Sequence, residues 1–349
     1  MRQGFRKVLG TYGELTKEAK KHIESKENDQ NTNAVNELRN LGSVIDWHIN
    51  LRAKESETDS ATQQKIFEIQ GLKQKIFFTL KDELRRIANN ETPPAQKDSR
   101  KVIGDKNKLY WKSGSGIKKE LTEGQIISDV TWNISYHLDE KTTPKILRKR
   151  LAVERAKKQL QELLDEQIIA EESTSAQTDQ GRRKAYEALA EESHHDKEGF
   201  GHIAERIVTQ FLTKKVIDEQ LPYTISKADV YQDVAQKIDF IIRRLDYRRG
   251  VGVEEQDLGI KGVQFTVNNS SRVQEHKKMQ ILRSKSKLVP ADRIDDISLV
   301  TMDMKIIAKA YNAWLKEKPP GGPDEFLEQD VKDKLFAMIT EGMEPEKSE

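Results

Sequence analysis

The chain has 349 residues, which is enough for one large domain or for two to three ordinary ones. Charged residues make up 34% of it and hydrophobic residues 35%, which argues against a single domain that is buried throughout. The 60 lysines and arginines nearly balance the 58 aspartates and glutamates, so the net charge of +2 excludes a histone-like, uniformly basic protein. Any contact with nucleic acid would have to come from a local basic patch.

The sequence contains no cysteine. Disulfides, thiolate metal sites and a cysteine nucleophile are therefore excluded. A protein without disulfides is typical of a reducing compartment. Residues 1–11 lack the apolar core of a signal peptide, and no later run reaches the roughly 18 apolar residues of a membrane span. We expect a cytoplasmic protein without a membrane contact.

Two stretches within 1–90 carry apolar residues at helical spacing. The spacing predicts two amphipathic helices, and the polar segment 54–62 between them predicts an antiparallel hairpin. Neither helix buries its apolar face alone, so the partner is the other helix, a later helix, a second copy of the chain or a partner protein. The apolar positions are Val35, Leu38, Leu41, Ile45 and Ile49, then Ile69, Leu72, Ile76, Leu80, Leu84 and Ile87.

The segment 91–142 is interpreted as a linker followed by one uncertain element. Pro93-Pro94 and the Ser-Gly-Ser-Gly of 113–116 predict a linker over about 89–116. The apolar residues from Ile127 to Leu138 fit either an alternating strand or one face of a helix, and we favour the helix.

A second region, 143–182, is predicted to be a basic amphipathic helix that begins at Pro144 and ends in a polar linker. Its first half is rich in positive charge and its second half turns acidic. The basic run either contacts phosphates or is a solvated helix face, and we favour the solvated face. The basic residues are Lys145, Arg148, Lys149, Arg150, Arg155, Lys157 and Lys158.

The third region, 183–343, mixes helices with strands, and 344–349 is an acidic tail. Runs of β-branched and aromatic residues between turn signals predict short strands here. The sequence therefore predicts an α+β protein, with a helical N-terminal region and a C-terminal α/β domain of order α-β-β-β-α-β. The predicted elements are a helix over 199–214, strands over 221–225, 238–245 and 262–267, a turn at 257–259, a helix over 271–288, a strand over 297–301, and helices over 302–316 and 324–341.

Three polar residues lie on the first helix, the second strand and the third strand of this predicted order. Glu205 lies on the first helix, Asp239 opens the second strand in Lys-Ile-Asp-Phe-Ile-Ile, and Gln264 lies on the third strand in Gln-Phe-Thr. Over 199–301 the chain resembles the PD-(D/E)xK, or restriction-endonuclease-like, nuclease superfamily. The resemblance implies a Mg²⁺-dependent nuclease acting on DNA or RNA.

The resemblance assigns these residues to one metal site at a sheet edge. Mg²⁺ binds one or two carboxylates with further oxygens and waters, and assists phosphodiester hydrolysis by neutralising charge. Asp239 would bind the ion directly, Gln264 would supply an amide oxygen, and Glu205 would bind directly or through water.

The family's lysine is replaced by Thr266 in this chain. Threonine cannot carry the positive charge that helps to position or activate water. Lys277 and Lys278 on the following helix, or Lys261 at the start of the strand, would have to supply it. A catalytically inactive nuclease-fold domain that binds nucleic acid or a protein is therefore the alternative to an active nuclease.

Arginines crowd the second strand and its turn. Guanidinium groups suit phosphate oxygens, so Arg243, Arg244, Arg248 and Arg249 are predicted to bind nucleic acid beside Asp239. A charged hairpin that discourages edge pairing is the alternative interpretation.

Overall fold

A computed structural model describes residues 38–50, 60–91, 99–106, 108–112, 118–175, 184–186, 199–245, 257–267, 270–286, 288 and 294–343. The protein is α+β, as predicted, with helices and two four-stranded mixed sheets. It divides into two compact units, Met1–Glu166 and Gln167–Glu349. Within the described ranges, no helix is long and apolar enough to cross a membrane.

The first unit begins with two helices, α1 over 38–50 and α2 over Ser60–Asn89. Lys73 of α2 joins them, because its Nζ donates to the carbonyl of Gly42 at 3.0 Å and pairs with Asp46 of α1.

Both predicted helices are confirmed over their described residues, and they contact each other. Val35 and most of the connecting segment 54–62 lie outside the described residues, and Leu72, predicted on the apolar face, is 48% exposed. Phe67 and Phe78 of α2 stay exposed, and assembly with a second copy or a partner protein remains a prediction.

The predicted linker over 89–116 is wrong for Arg100–Asp105 and Lys108–Lys112, which form two strands of a sheet, while 92–98 and 113–116 lie outside the described residues. Strands β1 (Arg100–Asp105), β2 (Lys108–Lys112) and β3 (Lys118–Leu121) are antiparallel neighbours, and β4 (Tyr136–Leu138) pairs parallel to β1. In β1 the inward residues are Val102 and Gly104, so the strand shows almost no apolar alternation. Glycine is required at 104, since a Cβ there would lie 2.1 Å from the carbonyl oxygen of Thr142.

The ambiguous segment after β3 contains both kinds of structure. Helix α3 (Glu123–Ser128) begins with a capping box between Thr122 and Gln125, and a 3₁₀ turn over Asp129–Trp132 leads into β4. The favoured helix is thus correct up to residue 132 and wrong for 136–138. The long helix α4 (Lys145–Ser175) follows as predicted.

The second unit has the predicted order of elements. It consists of α5 (Phe200–Asp218), β5 (Tyr223–Lys227), β6 (Phe240–Leu245), β7 (Asp257–Thr266), α6 (Ser271–Lys285), β8 (Asp296–Thr301), α7 (Met304–Glu317) and α8 (Gln329–Thr340). The strands lie in the order β5-β6-β7-β8, antiparallel except for the parallel pair β7 and β8. The predicted turn at 257–259 is wrong, because these residues begin β7.

Both faces of this sheet are buried. On one face Ile238, Ile241 and Ile260 pack with Ile281 of α6. On the other face, by the alternation of a strand, lie Phe240 and Ile242, both inaccessible to solvent. Gly262 permits the close approach of Ile238, since a Cβ at 262 would lie 2.9 Å from Ile238 Cδ1.

A buried ion cluster, formed by Lys214, Asp324 and Glu325, ties α5 to a 3₁₀ turn over Pro323–Phe326. Lys214 Nζ lies 2.5 Å from Asp324 Oδ2 and 2.5 Å from Glu325 Oε1. It also donates to the carbonyl of Gly321. We call this group the Lys214 cluster.

Candidate functional site

Asp239 is fastened to the neighbouring strand at the point where β6 begins. Two residues before Asp239, Lys237 has a left-handed backbone with φ of 60°, which turns the chain into the strand. The Asp239 N–H donates to the carbonyl of Val263 at 2.9 Å, and the Phe265 N–H donates to its carboxylate. Because both partners lie on β7, the carboxyl group is held beside that strand.

Three carboxyl groups, which we call the acidic cluster, interact at this end of the sheet: Glu205, Asp233 and Asp239. Burial raises the pKa of Asp239 well above its usual range, and the negative charges of Glu205 and Asp233 raise it further. The Phe265 N–H and the Lys277 ammonium oppose the shift. A carboxyl group with these neighbours is costly to ionise unless another cation joins it.

Glu205 occupies the predicted helix, on α5. Its side chain is about one-quarter exposed, and its Oε2 lies 3.5 Å from Nδ1 of His202, one turn earlier. Glu205 therefore lies next to an imidazole on its own helix. Its negative charge also raises the pKa of both Asp233 and Asp239.

Asp233 was not identified from the sequence. It lies in a π-helical turn over Gln232–Gln236, a conformation that is frequent at functional sites. Burial raises its pKa, as does Glu205, while His202, Lys237 and Lys227 lower it. A signal was present in the sequence, since Asp229 and Gln232 have capping-box spacing and exchange hydrogen bonds of 2.9 and 2.8 Å.

Gln264 lies on β7, next to Phe265, and is only 4% exposed. Its Oε1 is buried and accepts no hydrogen bond from any described residue. A buried amide oxygen without a donor is costly, and a cation or water is the kind of partner that would satisfy it. Thr266 lies two residues along the same strand and is also buried.

The structure distinguishes the three lysines proposed to replace the missing one. Lys277 Nζ donates to the carbonyl of Phe265 at 3.3 Å, and its charge lowers the pKa of Asp239. Lys278 is exposed, since adjacent residues of a helix point about 100° apart. Lys261 Nζ instead donates to the carbonyl of Glu341 at 2.6 Å. Lys277 is therefore the one of these three lysines whose charge is shown to act on Asp239.

Arg243 and Arg244 lie farther along β6 than the acidic cluster, and their binding of nucleic acid stays a prediction. Arg243 and Arg244 follow Asp239 by four and five residues, which places them roughly 13 to 17 Å along the strand. Arg244 donates to the carbonyl of Met343. The other two predicted residues, Arg248 and Arg249, lie outside the described residues.

The fit of Mg²⁺ to this site depends on oxygens of different kinds. Among the residues that the structure describes, no group of three or more histidine, aspartate and glutamate side chains is arranged to hold a metal ion. Mg²⁺ needs only one or two carboxylates when other oxygens and waters complete its shell. The unpartnered Oε1 of Gln264 is an oxygen of the kind that could complete such a shell together with Asp239.

Comparison of the chain with protein-family models, with curated proteins and with solved structures found no match.

Proposed function

We propose that the second unit is a Mg²⁺-dependent nuclease that hydrolyses phosphodiester bonds of DNA or RNA. The observation that carries the proposal is the buried Asp239, whose pKa is raised by burial and by the charges of Glu205 and Asp233. Gln264, with its unpartnered side-chain oxygen, lies on the neighbouring strand β7. Strongly perturbed carboxyl groups are concentrated at functional sites. The order α-β-β-β-α-β, which resembles that of the PD-(D/E)xK nucleases, supports the same chemistry.

In this proposal Asp239 and Gln264 hold the ion, and Glu205 contributes directly or through water. When bound, Mg²⁺ would neutralise charge that develops on the phosphoryl oxygens. Asp239 is kept in place by two hydrogen bonds to β7, so its carboxylate is positioned before any ligand arrives.

Lys277 takes the part of the missing lysine. Its ammonium is held at the carbonyl of Phe265, the residue between Gln264 and Thr266. A positive charge there would attract a phosphate group toward the acidic cluster, which would otherwise repel it. Thr266 contributes no charge.

The test is cleavage of labelled single-stranded DNA, double-stranded DNA and RNA by the full chain, with Mg²⁺ or with EDTA. We expect cleavage with Mg²⁺ only, and its loss in Asp239→Asn, because one proposed ligand loses its charge. Asp330→Asn, which removes an exposed carboxylate of α8, is the matched control and should keep wild-type activity. Cleavage that persists in Asp239→Asn would contradict the proposal.

The alternative is a nuclease-like domain that binds nucleic acid or a protein without cutting. Two observations favour it: threonine stands at the lysine position, and the described residues contain no three-residue metal group. In that case every substrate would stay intact with Mg²⁺, while binding of the same oligonucleotides would be equal in wild type and Asp239→Asn.

A further inference from the structure

One face of the sheet in the first unit is open to solvent and rich in charge. Side chains alternate along a strand, so Val102, Leu109 and Leu121, which are all buried, define the inward face. The residues between them point to the opposite side, which we call the basic face. It consists of Lys101, Ile103, Asp105, Lys108, Tyr110, Lys112, Lys118, Glu120 and His137.

Two of the four lysines on the basic face are paired within it. Lys108 Nζ lies 2.9 Å from Glu120 Oε1, and Lys118 Nζ lies 3.7 Å from Asp105 Oδ2. All four of these side chains are more than half exposed. Exposed pairs of this kind are weak, because water and salt screen them, so an anionic ligand can compete for both lysines.

The other two lysines of the basic face have no carboxylate partner. Lys101 and Lys112 are exposed, and neither forms an ion pair with another residue that the structure describes. In the register of the sheet, Lys112 stands directly opposite Lys118 of β3. Like charges at directly opposite positions destabilise a sheet. The basic face therefore keeps a repulsion that a bound anion would relieve.

An aromatic ring lies among these lysines. Tyr110 is on β2, between β1 and β3, and its side chain is partly exposed. Lys118 Nζ lies 3.8 Å from the centre of its ring, a cation–π contact that is weak at an exposed site. Lys108 and Lys112 point to the same side of β2, about 7 Å from Tyr110 in either direction along the strand. A flat group on this ring would thus have positive charge on both sides.

We propose that the basic face binds single-stranded nucleic acid. A base stacks on the ring of Tyr110 in place of the Lys118 ammonium, and the surrounding lysines bind the phosphates on either side of that base. The strand must be single, because in a duplex the faces of each base are covered by the neighbouring base pairs. An acidic peptide would match the charge but would give Tyr110 no part in binding. The proposal concerns the first unit and does not depend on cleavage by the second.

The first test is fluorescence anisotropy of labelled single-stranded DNA and RNA titrated with the full chain in EDTA, which separates binding from Mg²⁺-dependent cleavage. We expect Tyr110→Leu to bind at least about fivefold more weakly, which is the lower end of the effect of losing one stacked base. Tyr110→Phe keeps the ring and should bind as wild type. A difference in affinity between the DNA and the RNA strand identifies the preferred sugar.

The lysines are tested by the salt dependence of the same affinity. The double variant Lys101→Gln/Lys112→Gln should flatten the slope of log K against log salt by about 0.7 for each phosphate contact that is lost. The matched control, Lys65→Gln/Lys75→Gln, removes the same charge from exposed positions of α2 and should keep the wild-type slope.

Three results would overturn the proposal. They are equal single-strand affinity in wild type and Tyr110→Leu, an unchanged slope in Lys101→Gln/Lys112→Gln, and equal affinity of wild type for the single strand and for its duplex. Tighter binding of a poly-glutamate peptide than of either oligonucleotide would also overturn it, in favour of an acidic protein partner. If Tyr110→Leu does not fold, the lysine variant decides, because both of its substituted side chains are exposed.

Discussion

The second unit contains two buried groups of acids that differ in how they are balanced. In the Lys214 cluster, one ammonium lies 2.5 Å from each of two carboxylates. In the acidic cluster, only Asp239 is shown to feel the charge of Lys277, whose Nζ is hydrogen-bonded to a backbone carbonyl. Burial raises the pKa of Asp324 to about 7, against the opposing charge of Lys214, and it raises the pKa of Asp239 as well.

A raised pKa therefore does not distinguish a structural acid from a functional one. The distinction lies in whether a cation is in direct contact with the acid. A lysine in direct contact with both acids completes the Lys214 cluster, so its removal should damage the fold. No lysine among the described residues makes such a contact with two acids of the acidic cluster, so removing one of these acids should relieve repulsion and leave the fold intact.

The largest expected effect is on the Lys214 cluster. Lys214→Met should lower the free energy of unfolding by about 3–5 kcal/mol, because it leaves the buried Asp324 and the half-buried Glu325 without their cation. Urea unfolding measures this loss. In Lys309→Met the removed lysine is 78% exposed and pairs with Glu328, so the loss should stay below about 1 kcal/mol. Equal losses in the two variants would refute the distinction.

The next effect concerns the contact that positions Asp239. Gly262→Ala places a methyl group against the fully buried Ile238, which should cost about 1–3 kcal/mol and displace the adjoining Asp239. Mg²⁺-dependent cleavage should fall in the same variant. Gly201→Ala is the control, since its Cβ meets nothing within 4 Å, and alanine in a helix should be neutral or stabilising.

A smaller effect of opposite sign is expected at Asp239 itself. Because its folded-state pKa is raised, Asp239 favours folding fully only below the pKa of the unfolded chain, and that contribution is lost as the pH rises through the folded pKa. Asp239→Asn should therefore raise the Tm of the metal-free protein at pH 7 to 8, by about 2–4 °C for each kcal/mol relieved.

The control for this prediction is the pH dependence of the Tm difference between wild type and Asp239→Asn. As the pH falls through about 3.9, the usual pKa of an aspartate, the carboxyl group becomes protonated in the unfolded chain as well, so the Tm values of wild type and Asp239→Asn should converge. Calorimetric scans in EDTA from pH 3.5 to 8 would show the two curves separating as the pH rises. A lower Tm for Asp239→Asn at neutral pH would mean that Asp239 is a structural acid.

The smallest effect is the coupling between Lys277 and Asp239. Lys277→Met should destabilise wild type more than it destabilises Asp239→Asn, because the ammonium lowers the cost of the ionised carboxylate. A double-mutant cycle at pH 7.5 should give a coupling of about 0.5–1 kcal/mol. The same cycle with Lys278→Met, an exposed neighbour on α6, should give none.

Several elements of the acidic cluster were predictable, and others were not. Glu205 on its helix and Asp239 at the start of its strand followed from element order and from an acid interrupting an apolar run. Asp233 did not, because a π-helical turn has no clear apolar period. The β1 strand was missed for a related reason, since glycine occupies one of its two inward positions.

The sequence by itself determined the class of the protein and the order of elements in the second unit, since apolar periodicity and turn residues are local properties. The tertiary structure alone decided which charges meet. Lys277 reaches Phe265 and Lys261 reaches Glu341, although both lie near the same strand in the sequence. Arg243 and Arg244 are close to Asp239 along the chain but distant in space, because an extended strand separates residues by about 3.3 Å each.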